Sequence, residues 1–79
     1  MSQTETAATV DRIVADVLRV SEDELDDDST FGEDVEAESL DYVEIAETVA
    51  FELDVEIPDE DLQEFETVGD VKSYVEARR

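Results

Sequence analysis

The sequence predicts a small all-α protein, a four-helix bundle of three main helices and one short third helix, and three observations carry that reading. Apolar residues recur at helical spacing in three separate stretches, no stretch reads as a strand, and 79 residues leave room for one core only. The chain is therefore expected to form a single domain over residues 1–79, with no internal repeat.

The first helix is expected from about Thr4 to Val20, because Val10, Ile13, Val14, Val17 and Leu18 follow the i, i+3, i+4, i+7, i+8 series of one buried stripe. Asp11, Arg12, Asp16 and Arg19 occupy its other side. From Ser21 to Glu38 the periodicity disappears and acidic and hydroxyl residues fill a long loop, with Leu25, Phe31, Val35 and Ala37 as its only apolar ties. A loop of that length in a compact domain points to function or disorder.

The second helix is expected to run from Ser39 to Leu53, with Tyr42, Val43, Ala46, Val49, Ala50 and Leu53 on the buried face. On the opposite face Leu40 and Phe51 fall within about 20° of each other, flanked by Glu44 and Glu47. Two readings stand: scattered exposed apolar residues, which are normal, or an acidic docking strip with apolar contact points. Leu53-Asp54-Val55-Glu56-Ile57-Pro58 alternates and ends at a proline, which predicts an extended connection. Pro58-Asp59-Glu60-Asp61 starts a short third helix held by Leu62 and Phe65. Thr67 caps the fourth helix, Asp70 stands in the capping-box place, and Val68, Val71, Tyr74 and Val75 form the buried stripe. Gly69 in its first turn is the weak point of that pattern.

Composition narrows the function. No apolar run is long enough to span a membrane and the amino terminus lacks a signal pattern, so a cytoplasmic protein without membrane insertion is expected. There is no cysteine and no histidine, which removes disulfides, thiol chemistry, the usual general base and the usual zinc ligands, so the chain is read as not an enzyme. With 26 acidic residues against five basic ones the net charge is -21, which disfavours nucleic acid and calls for basic partners. A hydrophobic fraction of 41%, periodically spaced, still demands a core. That much like charge opposes folding at low ionic strength and favours a monomer, and it leads us to expect a halophilic source whose salt screens the repulsion.

Ser39 is the residue on which function is expected to turn. A serine ahead of an apolar-periodic run is first a helix cap, its hydroxyl accepting from a first-turn amide. The preceding loop imitates an EF-hand register at Asp27, Ser29, Gly32 and Glu38, but Phe31 offers no oxygen at the fifth position and Asp34 replaces an apolar residue at the eighth, so no specific metal site is expected.

Taken together, the first helix, the long acidic loop, Glu38-Ser39-Leu40-Asp41 at the head of the second helix, Asp54-Val55-Glu56-Ile57-Pro58-Asp59-Glu60-Asp61 before a short third, and Thr67-Val68 before a fourth resemble acyl carrier proteins over nearly the whole chain. Val35-Glu36-Ala37-Glu38-Ser39-Leu40 stands in the register of that family's L-G-x-D-S-L signature, with Glu36 for the usual glycine and Glu38 for the usual aspartate. The resemblance implies covalent 4′-phosphopantetheine on Ser39, transferred from coenzyme A by a separate phosphopantetheinyl transferase. The chain would then carry an acyl, aminoacyl or polyketide-type intermediate as a thioester, in fatty acid or polyketide biosynthesis. It also implies docking of acyl-transferring or acyl-modifying enzymes, through basic patches, on Glu38, Leu40, Asp41, Glu44, Glu47 and Phe51. Glu47 stands where fatty-acid carriers commonly show an apolar residue, and Ala50 and Phe51 where acids are common, so a different partner set is expected. The alternative is an unmodified acidic module of the same fold binding a basic partner, and a carboxylate-only hydrolase comes third.

Overall fold

The computed structural model describes residues 3–31 and 39–78. Gly32, Asp34, Val35, Glu36, Ala37 and Glu38, and the expectations that rest on them, lie outside the described residues. The described chain forms α1 (Gln3–Leu18), a 3-10 turn (Glu22–Glu24), α2 (Ser39–Leu53), α3 (Asp59–Leu62) and α4 (Val68–Ala77). One core joins them: Val10, Ile13 and Val14 of α1, Ile45, Val49 and Leu53 of α2, Leu62 of α3, and Val68, Val71 and Val75 of α4. Phe31 from the loop and Val55 and Ile57 from the α2–α3 connection complete it.

Each helix ends for a local reason. α1 stops two residues short of its expected end because Arg19 takes a left-handed backbone (φ 60°) and the Val20 amide donates to the Ala15 carbonyl at 3.0 Å, a Schellman-type closure. α2 stops at Leu53 because Asp54 is also left-handed (φ 57°) and donates to the Ala50 carbonyl at 3.1 Å. Aspartate tolerates that conformation better than most residues. Beyond it the alternation works as a strand-like connector, with Val55 and Ile57 buried and Asp54 and Glu56 exposed.

The start of α4 is the best-satisfied end in the molecule. Thr67 Oγ1 accepts from the Asp70 amide at 3.2 Å while Asp70 Oδ2 accepts from the Thr67 and Glu66 amides at 3.0 and 2.9 Å. These bonds hold the Asp70 carboxyl below its ordinary pKa, the Glu66 and Thr67 amides contributing most. Two further first-turn donors reach back to the loop, Val68 N–H to the Ser29 carbonyl at 3.1 Å and Gly69 N–H to the Asp27 carbonyl at 2.9 Å. With Phe31 N–H donating to Glu66 at 2.9 Å and an antiparallel bridge between Thr30 and Thr67, residues 27–31 lie zipped along the chain entering α4. A single bridging pair is not a strand, and the described residues are otherwise helix, turn and loop.

One assignment needs correction. The face of α2 that the wheel assigned to the core is rotated: Ile45 is buried, Tyr42, Ala46 and Ala50 are only half-buried, and Val43 is 42% exposed. Ile45, Val49 and Leu53 share the core with Val10, Ile13 and Val14 of α1, the long helix against which α2 packs. On the Val43–Ala46–Ala50 side the neighbour is α3, a single turn whose one buried side chain is Leu62.

Among the described residues three ion pairs, made by two cations, cross between elements. Arg12 of α1 pairs with Glu52 near the end of α2, and Lys72 of α4 reaches Asp11 of α1 at 2.8 Å and Asp27 of the loop at 2.5 Å. Burial alone would pull the Lys72 ammonium down, but the hydrogen bonds and charges of Asp11 and Asp27 outweigh it and its pKa is raised. The Lys72 side chain is only 14% exposed, so this clamp is screened less than a surface pair.

Lys72→Met should lower stability by about 1–2 kcal/mol, within the range of charge-assisted hydrogen bonds discounted for the exposure of Asp27. Because the folded-state pKa lies above the unfolded one, the difference between the two proteins should be full up to about pH 10 and fall away as pH rises through the folded value; thermal melts at several pH values measure it. Gly69→Ala tests the loop contact. A Cβ there would meet the Asp27 carbonyl oxygen at 2.8 Å, so the variant should melt lower by about 1 kcal/mol or more, although helix propensity alone favours alanine by about that amount.

Candidate functional site

α2 begins on Ser39, the first helical residue, and the residue before it lies outside the described residues. Its neighbour Leu40 is 77% exposed, so this end of the helix stands at the surface. By helical register Ser39 heads the line Ser39, Val43, Ala46, Ala50, at i, i+4, i+7 and i+11. The last three line a groove of about 370 Å³ between α2 and the connector, with Glu56, Ile57, Pro58, Asp59 and Leu62 opposite. A second groove of about 380 Å³ opens between α2 and α3, lined by Tyr42, Val43, Asp59, Leu62, Gln63 and Phe65. Val43, Asp59 and Leu62 belong to both, so the two grooves flank the one place where α3 touches α2.

Two aromatic pairs bound this region. Tyr42 meets Phe31 edge-on, with ring centroids 5.3 Å apart at 72°, which ties the first turn of α2 to the loop; burial pushes the Tyr42 phenol above its ordinary pKa. Phe65 meets Tyr74 of α4 at 5.4 Å and 71°. Tyr74 donates its hydroxyl to Asp61 of α3 at 2.7 Å, and the Arg78 guanidinium stacks 3.5 Å from its ring centre. The bond to Asp61 chiefly, then burial, raises the Tyr74 pKa against the opposing Arg78 charge. Apart from Arg78 on Tyr74, four residues apart, these pairings join residues nine to thirteen positions apart, and no helical spacing announced them.

On the outer side of α2, Leu40, Glu44, Glu47 and Phe51 are all exposed, Phe51 to 89%. Asp41 lies about 100° round the helix from Leu40 and is half-buried, at the edge of this strip, while Glu38 lies outside the described residues. In the loop, Asp27 is held by Lys72 and the Ser29 hydroxyl accepts from the Asp26 amide at 3.1 Å, so both serve the fold. Among the described residues no cluster of three or more acidic, histidine or cysteine side chains could hold a metal ion.

Comparison with known proteins decides what this arrangement belongs to. Residues 8–75 match the phosphopantetheine attachment site family. The chain is 52% identical over 63 residues to an acyl carrier protein of Clostridium perfringens, covering 80% of this chain and 83% of that one. It is 42% identical over 67 residues to an acyl carrier protein of Sulfurovum, covering 85% and 89%. With that of Wolinella succinogenes the identity is 37% over 70 residues, covering 89% and 92%. The chain belongs to the acyl carrier protein family. It is a thioester carrier and not a catalyst, its cofactor is covalent 4′-phosphopantetheine, and it delivers acyl groups to acyl-handling enzymes. The reading as an unmodified interaction module is not favoured. No helix among the described residues is long and apolar enough to cross a membrane.

α3 is tied to the rest of the fold by Leu62, by Phe65 just beyond it and by the Tyr74–Asp61 bond. Tyr74→Phe removes that bond and nothing else of the ring packing. It should lower stability by about 1 kcal/mol and speed hydrogen exchange at the Leu62 and Gln63 amides, which donate to Pro58 and Asp59, more than at α1.

Proposed function

We propose that Ser39 is the attachment residue, that the chain works as one domain and a monomer in a salt-rich cytoplasm, and that its partners present basic patches to Glu38, Leu40, Asp41, Glu44, Glu47 and Phe51. The observation that carries the attachment reading is positional. Ser39 opens α2 beside an exposed Leu40 and heads the line of Val43, Ala46 and Ala50 along an open apolar groove. The amide-rich start of a fifteen-residue helix favours a phosphodiester anion, and no acid–base residue of the carrier is needed where a separate transferase supplies the chemistry. When bound, the arm supplies the thiol that this cysteine-free chain lacks. The groove gives an apolar acyl chain a surface to lie against, with Val43, Ala46, Ala50 and Leu62 among its lining.

Charge supports the docking side. Among the described residues no ion pair reaches Glu44 or Glu47, whereas Arg12 and Lys72 are engaged within the fold. An uncompensated acidic strip speeds encounter with a basic surface while each exposed pair contributes under about 1 kcal/mol, which suits fast release.

Incubation with coenzyme A and a broad-specificity phosphopantetheinyl transferase, followed by intact mass and peptide mapping, tests the attachment. One phosphopantetheine should appear on Ser39 and none on Ser39→Ala, whose melting curve stays close to the parent's. Modification elsewhere, or none in folded protein while a known carrier loads under the same salt, would sink the reading. Reversal of Glu44 and Glu47 to lysine should lower loading kcat/KM about tenfold in dilute buffer, with the gap closing in molar KCl.

A further inference from the structure

The outer face of α2 carries two large apolar side chains that the fold itself does not use. Leu40 is 77% exposed and Phe51 89%, and no ring contact or core packing involves Phe51 among the described residues. They lie eleven residues apart and within about 20° on the helix, hence about 16 Å apart along one line, with Glu44 and Glu47 between them. The end bearing Phe51 is a rigid platform. Leu53 and Val55 are buried on either side of the Asp54 turn, and Glu52 is bridged to Arg12 of α1. An aromatic presented from a fixed backbone gives up little entropy when it enters a pocket, and such residues dominate interface energies when ringed by polar contacts.

We propose that Phe51 is a second apolar anchor which, with Leu40, selects partner proteins carrying two apolar sockets about 16 Å apart astride a basic strip. This rests on the reading of α2 as the docking helix and adds which partners it admits. Charge complementarity settles the kind of occupant: the strip between the anchors is acidic and the whole chain has a net charge of -21, so a second copy of this chain and an anionic membrane are both repelled. The two anchor types also divide under salt. Screening at about 1 M salt acts over roughly 3 Å, which weakens the Glu44 and Glu47 attraction but leaves apolar burial intact.

The test uses two helical peptides of alanine and arginine with the same composition. One has leucines eleven residues apart, on one face; the other has the second leucine moved by two positions, to the far side. Affinities are read by titration of the full chain in 0.1 M and 1 M KCl. The in-register peptide should bind at least tenfold more tightly than the shifted one at both salts. Phe51→Ala, with an unchanged melting temperature, should bind the two alike. Retention of the preference by Phe51→Ala, or equal binding of both peptides by the parent chain, overturns the second anchor. The Glu44→Lys, Glu47→Lys double variant should weaken both peptides equally in 0.1 M KCl. If it leaves both unchanged, the docking reading of α2 falls instead, and the two failures are told apart.

Discussion

The first turn of α4 has amide groups that no helical carbonyl reaches, and the way they are satisfied organises much of the rest. Thr67 and Asp70 close one part of that end, and the Ser29 and Asp27 carbonyls close another. Because the acceptors come from the loop, capping α4 also fixes residues 27–31 against it. Phe31 then enters the core and meets Tyr42 edge-on in the first full turn of α2. The placement of the helix that starts on Ser39 thus depends, through the Phe31–Tyr42 contact, on the hydrogen bonds that start α4. Gly69 is required at the point of closest approach, where a Cβ would press on the Asp27 carbonyl.

A second constraint is the size of α3. Four residues cannot cover what the longer α1 covers, so α2 is buried on the Ile45–Val49–Leu53 side and left open on the Val43–Ala46–Ala50 side. The small side chains at 46 and 50 deepen that opening. In a protein that had only to be stable, such half-filled apolar surface would be a defect, since well-packed interiors leave few voids. In this chain it leaves an apolar surface open one helical turn from Ser39.

The helices were legible because their signals are local. The spacing of Val10, Ile13, Val14, Val17 and Leu18, the run from Ser39 to Leu53, the stop at Pro58 and the Thr67–Asp70 pair each lie within a few residues of the structure they dictate. The loop was legible only as a loop. The Thr30–Thr67 bridge and the Lys72 clamp join partners 37 to 61 positions apart, as from Asp11 to Lys72, and no periodicity records them. The rotation of α2 was hidden for a related reason. A helical wheel ranks faces by residue type, and Val43 scores as core although the neighbour that would bury it is one turn long. The outer strip was readable in advance, since exposure of Leu40 and Phe51 follows from angle alone.

Charge distribution then separates stability from recognition. The cations seen in ion pairs, Arg12 and Lys72, sit between elements and hold α1 to α2 and α1 to the loop and α4. Had they been placed beside Glu44 and Glu47, the same ion pairs would have neutralised the strip and competed with any basic partner. With Arg12 and Lys72 paired between elements, the outer face of α2 stays negative. Such a surface gives rapid but undiscriminating attraction, because any basic patch answers it. Discrimination must come from contacts that charge cannot mimic, and on this face the only large side chains of that kind are Leu40 and Phe51. An acidic carrier that must choose among several basic enzymes therefore has reason to keep a phenylalanine in full contact with water.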